Sequence, residues 1–129
     1  MNMHNASLQG IEDTRGCYCL AARKRARELT RRYEVELRPY GLRATQFSVL
    51  AALAQIGPIP VSTLADILGL ERTTLTRIAG VMARNGWLSI ARGDDERVRM
   101  LAITAGGRLA LAAALPAWRR VQDEITKGG

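Results

Sequence analysis

At 129 residues the chain is long enough for one modest hydrophobic core and too short for a large multidomain enzyme. Its 19 lysines and arginines against 12 acidic residues give a formal charge of +7. This points to a polyanionic partner, nucleic acid ahead of a membrane surface, because no apolar run reaches spanning length. Hydrophobic residues make up 47% and aromatics only 5%, a balance that favours helices over a β-sandwich. Residues 1–14 are polar and without period and read as a flexible lead. They lack the charged start, apolar middle and small-residue cleavage site of a secretory signal, so a cytoplasmic protein with reduced thiols is expected.

From Cys17 a helical period begins. Cys19, Ala22, Ala26, Leu29, Tyr33, Leu37 and Tyr40 recur at steps of three and four, with Arg23, Lys24, Arg25, Arg27, Glu28, Arg31 and Arg32 between them, until Pro39 and Gly41 close the helix. Thr45 is expected to cap a second helix with Phe47, Leu50, Ala51 and Leu53 inward, stopped by Gly57 and Pro58. Ser62 is expected to cap a short third helix with Leu64, Ala65, Ile67 and Leu68 inward, ended by a left-handed Gly69. The fourth turns Leu75, Ile78, Ala79 and Met82 inward and runs out at Asn85 and Gly86.

Beyond Gly86 the period shortens. The segments WLSIA and VRMLAI flank the charged turn RGDDER and predict a two-stranded hairpin. Thr104 caps a last helix carrying Leu111, Leu115, Trp118, Val121 or Gln122, and Ile125 on one face, with a kink or break predicted near Ala114 because Pro116 interrupts it.

Two helices joined by a tight glycine turn and followed at once by a hairpin form the layout of a winged helix-turn-helix. The fold class predicted is mainly α with a small β-hairpin wing. Residues 44–103 form the winged helix-turn-helix, within a single domain over 15–129.

Threonine is a mediocre helix former, yet the stretch LERTTLTRIAG carries three beside two arginines. Arg72, Thr73, Thr74, Thr76 and Arg77 fall off its apolar stripe, where short hydroxyls and forked guanidiniums suit base edges and phosphates in the major groove. Ala79 and Gly80 are expected to keep the helix slim for close approach, and Arg84 adds a cation near its end. In the turn, Arg92, Arg97 and Arg99 are candidates for minor-groove or phosphate contact, with Asp95 aligning Arg97 through an ion pair. The bland alternatives are a solvated helix and an ordinary charged turn.

The segments LADILGLERTTLTRIAGVMARNGWL, DER and LAITAGGRLAL, in that order and spacing, resemble the MarR family of transcriptional regulators, and the resemblance extends upstream through LRATQFSVLAAL. It implies a homodimeric winged helix-turn-helix on an inverted-repeat site, with 15–41 and 104–127 as N- and C-terminal dimerisation helices. Such regulators typically repress nearby genes and often release DNA on binding a small phenolic or aromatic acid or on thiol oxidation. By match to the family pattern, Thr76 and Arg77 correspond to recognition-helix contacts, and Asp95 and Arg97 to the wing pair. Two features depart from it. Glu96 stands where members often carry a second basic residue, and the sequence ends soon after Ile125, where members usually continue into a further helix. Dimerisation is then expected to lean on the first helix and the Trp118 segment.

On a helix Cys17 and Cys19 point about 200° apart, so they neither chelate a metal nor easily close a disulfide. Cys19, on the apolar stripe, is expected to be buried. Cys17, at a helix start near Arg15, is the candidate for oxidation. Arg23, Arg27 and Arg31 are either a solvated face or the cationic lining of an effector pocket. His4 is the only histidine, no phosphate-binding glycine loop is present, and Asp94 and Asp95 sit among arginines in a turn. No enzyme, metal site or cofactor is therefore expected. The rival readings are a sequence-neutral DNA-coating protein and a winged-helix protein-interaction module.

Overall fold

The computed structural model describes residues 6–128, so His4 lies outside the described residues. The chain divides into two units between Arg31 and Arg32.

In the first unit the expected flexible lead is partly folded. Gly10, at φ 84, starts a 3-10 helix over Ile11–Gly16 with Glu12 and Asp13 in its first turn, where acidic groups meet unpaired N–H groups favourably. The Thr14 hydroxyl donates to the Ile11 carbonyl at 2.7 Å. Helix α1, Tyr18–Leu37, follows. Its side chains from Tyr18 to Glu28 are all exposed and Leu29 is half-buried. Cys19, predicted to be buried, is therefore exposed along with Cys17. The period fixes which face of a helix is apolar, whereas burial needs something lying against that face. Cys17 also precedes α1, with extended backbone at φ −62 and ψ 117, so the helical 200° separation of the two sulfurs does not apply.

In the second unit α1 ends on a fully buried Leu37, and a 3-10 turn, Arg38–Tyr40, leads to Gly41 at φ 74. Helix α2, Ala44–Ile56, buries Phe47, Val49, Leu50 and Leu53. Thr45 is not its cap. The Glu34 carboxylate accepts the Ala44 N–H at 2.8 Å, and the Gln46 side chain accepts the Arg43 N–H at 2.8 Å. Those acceptors satisfy the helix start without Thr45.

Strand β1, Ile59–Pro60, runs directly into helix α3, Val61–Leu68, so Ser62 falls inside the first turn instead of capping it. Proline's fixed φ suits it to lead a helix in. Gly69 ends α3 at φ 66, and the Leu70 N–H returns to the Ala65 carbonyl at 2.9 Å, as predicted for a left-handed stop. Ile67, predicted inward, is 54% exposed. Helix α4, Arg72–Arg84, buries Leu75, Ala79 and Met82.

Strands β2, Leu88–Arg92, and β3, Arg99–Ile103, form the predicted hairpin, with Ile90 opposite Leu101. The sheet has a third member: β1 pairs antiparallel with the far edge of β3, Ile59 opposite Leu101, in the order β1-β3-β2. Two residues including a proline are too short to show an alternating pattern.

Helix α5, Ala105–Gly128, is continuous through Pro116, and the predicted break is absent. Ala112, whose carbonyl Pro116 cannot reach with an N–H, lies on the exposed side with Pro116, where water can take that carbonyl. Thr104 caps α5 as expected: its hydroxyl oxygen accepts the Gly107 N–H at 3.0 Å and donates to the Gly86 carbonyl. The core runs through α2, α3, α4 and the sheet, with Leu50, Leu53, Leu64, Leu75, Met82 and Leu101 at its centre and Ala114 of α5 closing it.

Candidate nucleic-acid interface

The buried stripe of Leu75, Ala79 and Met82 fixes the rotation of α4, and that rotation decides which side chains face out. Arg72, Thr73, Thr76, Arg77 and Arg84 are exposed, and Thr74 is half-buried. Ala79, expected to slim the outer face, is fully buried and serves the core instead. At Gly80 a Cβ would lie 3.8 Å from the Arg84 guanidinium, an ordinary contact that does not require glycine. The exposed Thr76 hydroxyl donates to the Arg72 carbonyl at 2.9 Å and can still accept a hydrogen bond.

The wing carries Arg92, Arg97 and Arg99, all exposed. Asp95 holds Arg97 twice, accepting its backbone N–H at 3.0 Å and meeting its guanidinium at 3.6 Å. The ion pair predicted from the sequence is therefore present. Glu96 was not given a structural role by the sequence. Its carboxylate lies 3.9 Å from Arg92, and its carbonyl accepts a hydrogen bond from Arg99 at 2.7 Å.

Helix α4 and the wing enclose a cleft of about 650 Å³, with Ser62, Arg72, Thr76, Arg97 and Arg99 around it and Leu101 among its apolar walls. Five polar or cationic groups from α3, α4 and the wing thus converge on one concave surface. Ser62 joins them because β1 delivers the start of α3 beside β3, a placement set by pairing between distant strands.

The wing's base is held by close backbone approach. The Thr104 N–H donates to the Trp87 carbonyl at 3.1 Å, and a Cβ on Gly107 would fall 1.9 Å from that same oxygen. Only glycine fits there without a shift of α5 or of the chain entering β2.

A second feature was legible only as scattered core residues. Trp118 stacks on Phe47 with ring centroids 5.7 Å apart and on Tyr33 at 6.4 Å. The Tyr33 hydroxyl donates to the Gln122 side chain. These groups line a cleft of about 210 Å³. They come from α1, α2 and α5, so no local sequence pattern marks them.

Glu34 was also missed. Hydrogen bonding from Arg43, at 2.9 Å, and from the Ala44 N–H holds its carboxyl below the usual carboxylate value against a smaller opposing effect of burial. The candidate effector residues Arg23, Arg27 and Arg31 stand exposed on α1. Among the described residues no group of three potential ligands is placed to hold a metal ion, and no helix is long and apolar enough to cross a membrane.

A model of the MarR family matches residues 42–98, from the start of α2 to the wing tip. The M. tuberculosis transcriptional regulator MosR, solved in complex with DNA, is 44% identical with a TM-score of 0.82, over 88% of this chain and 83% of that one. The HTH-type transcriptional regulator YwoH of Bacillus subtilis is 33% identical over 79 residues, covering 61% of this chain but only 58% of YwoH. Escherichia coli MarR in its apo form, 21% identical with a TM-score of 0.72 over 87% and 84% of the two chains, shares the fold. With the family model laid over its helix-turn-helix and the first strand and turn of its wing, and with a regulator 44% identical along most of its length, this chain belongs to the MarR family of transcriptional regulators.

Proposed function

We propose that the protein is a sequence-specific repressor that binds an inverted-repeat site in double-stranded DNA as a homodimer. The observation that carries this reading is the two-sidedness of α4. One face is locked into the core by Leu75, Ala79 and Met82, while the other presents Arg72, Thr73, Thr76 and Arg77 with no acidic residue in the helix. A rigid helix offering short hydroxyls and forked cations suits base edges in the major groove. The DNA complex of MosR supports the same partner.

Arg77→Ala tests the reading. It is expected to weaken binding to a duplex selected from a random library by about 1 to 3 kcal/mol, and binding to a scrambled duplex by much less. Equal losses on both duplexes would leave Arg77 a phosphate contact and favour a protein that coats DNA without reading it.

Release of DNA is assigned to a small aromatic or phenolic ligand or to thiol oxidation. The Tyr33, Phe47 and Trp118 cleft supports the first, since flat aromatic walls with a polar Gln122 suit a phenolic ring. Exposed Cys17 supports the second. DNA release by an aromatic acid that survives Trp118→Ala excludes the cleft. DNA affinity that persists after peroxide treatment, with Cys17 oxidised by mass spectrometry, excludes the thiol.

A further inference from the structure

The wing contains a like-charge problem and a device that resolves it. Arg92 and Arg99 are directly opposite each other across β2 and β3, at the last paired position before the turn. Like charges so placed repel. Glu96, in the turn between them, answers both: its carboxylate faces Arg92 at 3.9 Å and its carbonyl takes the Arg99 guanidinium at 2.7 Å. Asp95 is occupied with Arg97. From Arg92 to Arg99 the chain carries three arginines and three acids, Asp94, Asp95 and Glu96, and so has no formal charge. A carboxylate beside the Arg92 guanidinium stands in the place that a DNA phosphate oxygen would take.

We infer that Glu96 is an internal phosphate surrogate: in the free protein its carboxylate occupies Arg92, so that DNA must displace that carboxylate to engage this arginine of the wing. This rests on the DNA-binding reading above and adds to it a residue that limits affinity. The device lowers sequence-neutral attraction, which every duplex supplies, and leaves discrimination to α4. Because the pair is exposed, with Arg92 67% and Glu96 87% accessible, the exchange needs no unfolding.

The test measures affinity for the selected and scrambled duplexes against salt concentration for wild type, Glu96→Gln, Arg92→Gln, the double variant and Asp94→Asn. Thermal melts confirm that each is folded. Glu96→Gln should steepen the dependence of log K on log salt by about 0.9, the effect of one more phosphate neutralised, and tighten binding to the scrambled duplex roughly fivefold to tenfold at about 0.1 M salt. Arg92→Gln should cost more in the Glu96→Gln background than in wild type, and Asp94→Asn should change binding less than Glu96→Gln. The inference is overturned if Asp94→Asn matches Glu96→Gln, or if the Arg92 and Glu96 effects simply add, because either means a general charge effect. If wild type shows no preference for the selected duplex, sequence reading fails, while the scrambled-duplex cycle still decides the role of Glu96.

Discussion

Helix α4 and the wing each present three arginines, Arg72, Arg77 and Arg84 on the helix and Arg92, Arg97 and Arg99 on the hairpin. On α4 no acid accompanies them within the helix, and the side chains project from a rod whose other face is fixed in the core. On the wing every arginine already has a partner: Arg97 has Asp95, Arg92 has the Glu96 carboxylate and Arg99 has the Glu96 carbonyl. Counting cations would rank the two regions equal. Their partners leave the wing arginines self-neutralised, while those of α4 have no acid on their own helix.

The largest effect is expected where the wing's position depends on backbone contact. Gly107→Ala places a Cβ 1.9 Å from the Trp87 carbonyl, which has no flexible end that can yield. A loss of about 3 kcal/mol or more is expected in urea denaturation. An unchanged midpoint would show that α5 can back away from the wing without cost, and the picture of a backbone-fixed hairpin would fall.

Next comes the direct contrast between the two sets of arginines. Arg77→Ala, at about 1 to 3 kcal/mol of specific binding, should exceed Arg97→Ala, whose guanidinium is already committed to Asp95. Equal effects in a titration on the selected duplex would mean that DNA releases the wing arginines at no cost. The Glu96→Gln gain is of similar or smaller size, about one phosphate contact, and runs in the opposite direction.

The smallest effect concerns the start of α2. Glu34→Ala removes the acceptor of the Ala44 N–H and should cost about 1 kcal/mol, the usual worth of a helix cap. Its carboxyl is lowered mainly by hydrogen bonding from Arg43, so the folded state binds that proton less readily than the unfolded chain. The contribution is therefore complete above the ordinary carboxylate value and is lost as pH falls through the lowered one. Melting temperatures of wild type and Glu34→Ala should converge under acid. A constant gap down to that range would show that the charge of Glu34 plays no part.

Much of the local structure was legible in the residues. Leu75, Ile78 and Met82 set the inward stripe of α4 and hence exposed Arg72, Thr73, Thr76 and Arg77, because a 3.6-residue period fixes faces. Gly69, Gly86 and Thr104 marked helix ends through backbone freedom and hydroxyl capping, which act within a few residues. The Asp95 and Arg97 pair was readable for the same reason.

The local rule that Pro116 breaks a helix failed, and so did several inferences that needed a distant partner. Cys19 lies on an apolar stripe yet is exposed, and Thr45 was displaced as a cap by Glu34 and Gln46. The aromatic cleft needed α1, α2 and α5 together, and Ser62 reached the α4 cleft only because β1 pairs with β3. Periodicity and capping are short-range, so the sequence by itself determined the helices, the hairpin, the family and the outward face of α4. Burial, strand partnership and ion-pair choice depend on which surfaces meet, so only the tertiary structure decided that Gly107 must be glycine and that Glu96 stands between two opposed arginines.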